Sequence, residues 1–161
     1  MMLNNSESDF EKAKECAFWY INRRRYTKKQ LTEKLVSRNY DRDLAAEVAD
    51  HLEERGYVDD RDYVRRYIHD AVNIKKHGAV RIKNDLLMKG IDRNIIDEMI
   101  SKSDVDYYSV LDDLISSKAS SLDLGDEKQK NKLVSFLVRR GFSYGDIFDA
   151  LKNYSNNKGE V

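Results

Sequence analysis

The groups in this chain that could perform covalent or metal chemistry are few and scattered. Metal binding requires thiolates, imidazoles or carboxylates converging at short, fixed spacings. Here the three histidines, His51, His69 and His77, lie apart, Cys16 is the only cysteine, and Glu47 and His51 make an ordinary one-turn helix pair. Adjacent carboxylates occur at Asp59–Asp60 and Asp112–Asp113. They fall at a predicted helix start and on a polar helix face, where capping or plain solvation accounts for them better than acid–base work. Cys16, beside Ala17 and Phe18, reads as packing rather than as a nucleophile. The seven glycines are isolated, so no phosphate-cradling loop is present. The sequence therefore predicts a non-enzyme with no metal and no cofactor.

What it does offer is charge, unevenly placed. Twenty-nine Lys and Arg balance twenty-nine Asp and Glu, so net charge alone names no nucleic-acid or membrane partner. Yet Arg23, Arg24, Arg25, Lys28, Lys29, Lys34 and Arg38 face only Glu33 between residues 23 and 38. Lys75, Lys76, Arg81, Lys83 and Lys89 face only Asp85 between 75 and 89, and no acid interrupts the five bases from Lys128 to Arg140. Residues 41–55, with Asp41, Asp43, Glu47, Asp50, Glu53 and Glu54, run the other way. Such segregation creates local fields that steer association with an oppositely charged polymer, although solvated faces with weak ion pairs give the same pattern. Lys132, Arg139 and Arg140 complete the candidate contacts of the third basic run.

These residues need elements to position them, and an internal repeat supplies the elements. KLVSRNYDRDLA from Lys34, DLLMKGIDRNII from Asp85 and FLVRRGFSYGDI from Phe136 superpose at a constant offset of 51 residues. Leu31, Ile82 and Leu133 coincide, as do Leu35, Leu86 and Leu137, and then Asn39, Gly90 and Gly141. The Asn or Gly suits a left-handed helix end, and Asp41, Asp92 or Ser143 two residues on suits an N-cap. Between them Tyr40, Ile91 or Phe142 can staple onto Ala45, Ile96 or Ile147. With no proline in the chain, where average usage of roughly 5% would give about eight, nothing breaks a helix by removing its amide donor. An all-α fold of three tandem three-helix repeats, about 51 residues each, follows, with stacking that makes an elongated, curved array.

The predicted boundaries are 9–56, 57–103 and 104–154, with disordered ends at 1–8 and 155–161 and a long loop near 116–128. Predicted helices span 9–24, 27–38 and 41–55, then 60–76, 79–89 and 92–102, then 104–120, 127–140 and 143–154. Phe18, Trp19 and Tyr20 are consecutive and cannot share one core, so Trp19 belongs at a seam or in solvent. The stretch GYVDDRDYVRRYI reads as a joint: Gly56 ends one repeat, Asp59 or Asp60 caps the next helix, and Val64, Tyr67 and Ile68 form its buried stripe. Arg65 and Arg66 remain as contacts. The single cysteine and the apolar run CAFWYI, too short to span a membrane, fit a soluble, cytoplasmic chain.

Four stretches, AFWYINRRRYTKKQLTEKLVSRNY, GYVDDRDYVRRYI, KKHGAVRIKNDLLMKGID and FLVRRGFSYGDI, resemble the RecX regulators of the bacterial RecA recombinase, in order and spacing. His77 and Ala79 stand where that family often has Gly and Pro, and Val58 replaces a leucine. The resemblance implies a non-enzymatic modulator, monomeric, that binds RecA–single-stranded-DNA filaments and limits their extension, ATPase and strand exchange in recombination and the SOS response. It carries over no catalytic residues. Weak single-stranded DNA binding, direct duplex binding by helix–turn–helix units, and a scaffold for another protein are the competing readings.

Overall fold

The computed structural model describes residues 3–159, and every regular element among them is a helix. In chain order they are α1 (Leu3–Ile21), α2 (Lys28–Val36) and α3 (Arg42–Glu54), α4 (Asp60–Asn73), α5 (Ala79–Met88) and α6 (Arg93–Ser101), and α7 (Tyr107–Ala119), α8 (Glu127–Arg140) and α9 (Tyr144–Gly159). This is the all-α, three-repeat architecture the 51-residue register predicts. The ends differ from expectation. The helix α1 starts at Leu3 and α9 runs to Gly159, where the sequence suggests disorder at 1–8 and 155–161; residues 1–2 and 160–161 lie outside the described residues. The serine-rich stretch is also shorter as a loop, only 120–126. Its backbone is tied by Gly125 N–H to the Asp123 carboxylate (2.9 Å) and by Asp123 N–H to Gln129 Oε1 (3.0 Å).

The periodic punctuation has the predicted geometry. Asn39, Gly90 and Gly141 adopt φ of 67°, 80° and 98°, the left-handed region those two residue types enter most cheaply. Asp41 then accepts from Asp43 N–H at 2.9 Å, Asp92 from Asn94 N–H at 2.8 Å, and Ser143 from Asp146 N–H at 3.1 Å. At the first repeat joint the two neighbouring aspartates divide the work. Asp59 caps α4 by accepting from Asp62 N–H at 3.0 Å, while Asp60 turns to α2 and accepts from Lys28 N–H at 2.9 Å.

Among the described residues the helices gather into two compact units, residues 3–65 with 86–96 and residues 66–85 with 97–159, so the middle repeat contributes to both. In the first unit Ala13, Ala17 and Tyr20 of α1 close with Leu31 and Leu35 of α2 and Ala45, Val48 and Leu52 of α3. In the second, Leu111, Ile115 and Ala119 of α7 close with Leu133 and Leu137 of α8 and Ile147, Ala150 and Leu151 of α9. Full burial of a leucine or isoleucine contributes about 1.5–3 kcal/mol, so these stripes supply most of what holds each unit together.

Each unit also contains one seam between consecutive repeats, built the same way: the start of one middle helix meets the end of the next. In the first unit the buried Thr27 hydroxyl donates to Lys89 C=O at 2.7 Å while accepting from Gln30 N–H at 3.1 Å, and Gln30 reaches back to Thr27 N–H. In the second unit Gly78 N–H donates to Arg140 C=O at 2.7 Å and Val80 N–H to Gly141 C=O at 3.1 Å. The Arg81 guanidinium adds a bond to Arg139 C=O at 3.0 Å. In the second seam free amides at one helix start thereby satisfy free carbonyls at another helix end, two sets of groups that would otherwise require water.

Candidate functional site

The basic runs do not lie where the helix assignment puts them. The helix α1 ends at Ile21, so Arg23, Arg24 and Arg25 stand on the connector before α2, exposed. Lys75 and Lys76 stand on the α4–α5 connector, and Arg38 and Lys89 lie just past α2 and α5. Only Lys28, Lys29 and Lys34 on α2, Arg81 and Lys83 on α5, and Lys132, Arg139 and Arg140 on α8 belong to middle helices. The charge is concentrated at helix ends, and cations beyond a helix C-terminus sit favourably against its dipole.

In the first unit aromatic rings fix the cations. The Arg23 guanidinium lies 3.4 Å from the Trp19 ring centre and donates to Trp19 C=O at 2.8 Å. Arg24 lies over Tyr26 at 4.2 Å, and Lys34 and Arg38 flank Tyr20 at 5.3 and 5.6 Å, with Arg38 Nε also donating to the Tyr20 hydroxyl. Each such contact holds a flexible cation in place and contributes about 0.5–1 kcal/mol at exposed sites. Trp19 is 49% exposed, Phe18 half-buried and Tyr20 buried, which resolves the crowding of three consecutive aromatics. A groove of about 330 Å³ runs beside α2, lined by Arg24, Lys29, Lys34, Lys89 and the exposed Met88. Its one acid, Glu33, is turned to Arg42 at 3.1 Å. A second groove, about 670 Å³, is lined by Lys12, Cys16, Trp19, Tyr20, Arg38 and Tyr40.

Not every sequence candidate is available. Lys28 pairs with Asp50 at 2.6 Å and Glu53 at 3.0 Å, and these hydrogen bonds, Asp50 first, hold its ammonium pKa above the usual value. Arg65 pairs with Asp62 at 3.1 Å, and Arg66 is likewise engaged.

In the second unit Lys83 pairs with Asp97 at 2.5 Å. Arg140 donates to Lys75 C=O at 2.5 Å and lies over Phe136 at 5.2 Å. Arg81 is held by the Arg139 carbonyl and lies 3.8 Å from Asp85. Arg139 and Lys132, with Lys128, line a shallow groove of about 700 Å³ along α8. Beside this seam the buried His77 has no partner for Nδ1. Burial first, then Arg81, pushes its pKa down; Asp85 opposes, and Arg140 and Lys75 add to the depression. Among the described residues Arg25, Lys29, Lys75, Lys76, Lys132 and Arg139 make no ion pair, and no cluster of His, Cys, Asp and Glu could hold a metal. The arrangement therefore presents cations that can meet an anionic polymer or an acidic protein face. The sequence does not reveal that carbonyls capture Arg81 and Arg140, because only the seam between repeats brings those groups together.

Comparison with known proteins now bears on identity. Family models described as the first, second and third three-helix domains of RecX match residues 13–52, 59–100 and 104–151. The chain belongs to the RecX family. A protein named regulatory protein RecX from Clostridium botulinum is 33% identical over 150 residues, covering 90% of this chain and 69% of that one. The one from Clostridium acetobutylicum is 31% identical, covering 94% and 73%. Among solved structures, RecX from Lactobacillus salivarius superposes with a TM-score of 0.80 at 26% identity, over 91% of this chain and 97% of that one. No helix among the described residues is long and apolar enough to cross a membrane.

Proposed function

We propose that this chain is a non-enzymatic regulator that binds RecA–single-stranded-DNA filaments and limits their extension, ATPase and strand exchange, acting as a monomer in the cytoplasm on recombination and the SOS response. The observation that carries this reading is the ring-braced basic cluster of the first unit. Arg23 and Arg24 are held on Trp19 and Tyr26, beside the unpaired Arg25 and Lys29, in a chain of zero net charge. A cluster pre-organised in this way loses little entropy on meeting a filament surface. The decisive experiment adds substoichiometric protein to preformed RecA filaments and follows DNA-dependent ATP hydrolysis. Suppression is expected, and no effect at equimolar protein overturns the reading. Replacing Arg23, Arg24 and Arg25 together with glutamate should weaken filament binding with helicity intact.

Direct single-stranded DNA binding is a second reading, favoured by one observation: the half-exposed Trp19 in a groove bearing Arg38. Exposed aromatics beside cations are stacking platforms for bases. Trp19 is the only tryptophan, so quenching of its fluorescence by oligo(dT) without RecA, relieved by salt, would identify this mode. Unchanged fluorescence would dismiss it.

A further inference from the structure

The basic clusters leave one surface of the second unit unexplained, and it has the opposite sign. The helix α7 packs on α9, and on their outer side three aromatic side chains stand in solvent: Tyr108, Tyr144 and Phe148, at 41%, 61% and 50% exposure. The Tyr144 and Phe148 rings lie nearly parallel, 6.4 Å apart and 20° inclined, one turn apart on α9. Asp112 is one turn from Tyr108 on α7, while on α9 Asp146 lies between Tyr144 and Phe148 in sequence and Asp149 follows them. Loss of solvent first, then the charges of Asp149, Asp146 and Asp112, pushes the Tyr108 hydroxyl pKa up. All three carboxylates are exposed and none has an ion pair among the described residues, although Lys152 follows one turn along α9. Asp146 does accept a hydrogen bond from the Ser143 hydroxyl at 2.7 Å.

Apart from Asp146, which braces the Ser143 cap of α9, neither the rings nor the carboxylates have a role inside the fold. The core beneath is complete, closed by Leu111, Ile115, Ile147 and Leu151, and grouped exposed aromatics mark a surface that meets a partner. The carboxylates say which kind. They repel phosphates, so they disfavour nucleic acid and an anionic membrane, and they attract Lys and Arg. We propose that this face docks a segment of the recombinase itself, one whose apolar side chain packs against Tyr144 and Phe148 while flanking Lys or Arg residues meet Asp112, Asp146 and Asp149. The inference rests on the filament-binding reading and assigns it a second contact, acidic where the first is basic.

Co-sedimentation of the full chain with RecA–single-stranded-DNA filaments tests it. Tyr144→Ala with Phe148→Ala, and separately Asp112→Lys with Asp149→Lys, should each weaken binding by about tenfold or more, as expected for central aromatic and charged contacts. Asp149→Glu should retain binding, and circular dichroism should show native helicity throughout. If the wild-type chain does not sediment with filaments, the filament reading fails and takes this inference with it. If it sediments and both double variants bind as tightly, the inference alone is overturned. Two other results also overturn it: a wild-type dimer in sedimentation velocity that the aromatic double variant abolishes, and loss of oligo(dT) binding in that variant without RecA.

Discussion

The two seams between repeats do the same job with different chemistry. In the first unit the start of α2 reaches the end of α5 through a side chain, the Thr27 hydroxyl to Lys89 C=O. In the second unit the start of α5 reaches the end of α8 through backbone, Gly78 and Val80 N–H to Arg140 and Gly141 C=O. Thr27 and Gly78 are equivalent in the 51-residue register, so one position decides the style of contact. A side-chain bridge keeps the backbones apart. Removing the side chain lets them close. A Cβ at Gly78 would lie 2.3 Å from Gly141 O, whereas Thr27 carries its Cβ and is fully buried. The close seam recruits Arg81 and Arg140 onto carbonyls, and the open one leaves Lys29 free to line a groove. How tightly a seam closes therefore sets which cations a partner can meet.

The largest test of this contrast uses one substitution at two equivalent glycines. Gly90 and Gly141 share the left-handed conformation, and Asn39, their counterpart in the first repeat, adopts it too. An asparagine's Cβ at Gly141 would fall 2.3 Å from Arg81 Cβ and 2.6 Å from Arg81 N. Backbone must move, so Gly141→Asn is expected to cost at least about 3 kcal/mol. At Gly90 the obstacle is the Lys29 side chain: its Cδ at 2.2 Å can swing aside, but its Cβ at 2.7 Å moves only with the backbone, so Gly90→Asn should cost less than Gly141→Asn, about 2 kcal/mol. Chemical denaturation followed by far-ultraviolet circular dichroism measures both. Equal losses would break the distinction between close and open seams.

A smaller effect is expected from Thr27, whose hydroxyl both donates and accepts. Thr27→Val keeps the shape but leaves Lys89 C=O and Gln30 N–H without this partner, which should cost about 1–3 kcal/mol. Thr27→Ser should recover most of it. Trp19, the only tryptophan, lies in the first unit, so its fluorescence reports the loss where it occurs. A valine variant as stable as wild type would show that the hydroxyl does not hold the seam.

This seam also marks where reading the sequence stops. The register at 51 residues located all three helix–turn–helix units, because buried leucines, left-handed helix ends and caps are local patterns that repeat with the fold. The aspartates Asp59 and Asp60 show the limit: either could cap α4 in sequence terms, and only the approach of α2 turns Asp60 to Lys28 N–H. The basic candidates were legible as runs of charge, yet their partners were not. Lys28 meets Asp50 and Glu53 from α3, and Lys83 meets Asp97 from α6, pairings set by packing between helices rather than by spacing along one. The aromatic face of α7 and α9 escaped for the same reason: Tyr108 stands on one helix and Tyr144 and Phe148 on the other, and only the packing of α7 on α9 brings the two helices together.

The smallest expected effect separates the seams by pH. His77 sits beside the close seam with its pKa depressed by burial and by Arg81, Arg140 and Lys75, against Asp85 alone. Below its ordinary value of 6.5 the unfolded chain takes up a proton that the folded chain refuses. Stability contributed there is therefore present above pH 6.5 and lost as pH falls through that value toward the folded pKa. The open seam has no group of this kind: Lys28 is shifted upward by Asp50 and Glu53, so its contribution is intact at every pH below its ordinary value and is lost only in strong alkali. Burial raises the Asp60 pKa, so Asp60 favours the fold as pH falls just above 3.8, opposite in sign to His77. Between pH 7.5 and 5.5 thermal unfolding should shift to lower temperature in the wild type, and His77→Gln should flatten that dependence. Trp19 fluorescence should follow the shift less than circular dichroism does, because the titrating group lies in the other unit. A His77→Gln variant with unchanged pH dependence would place the titration elsewhere and remove pH as a difference between the seams.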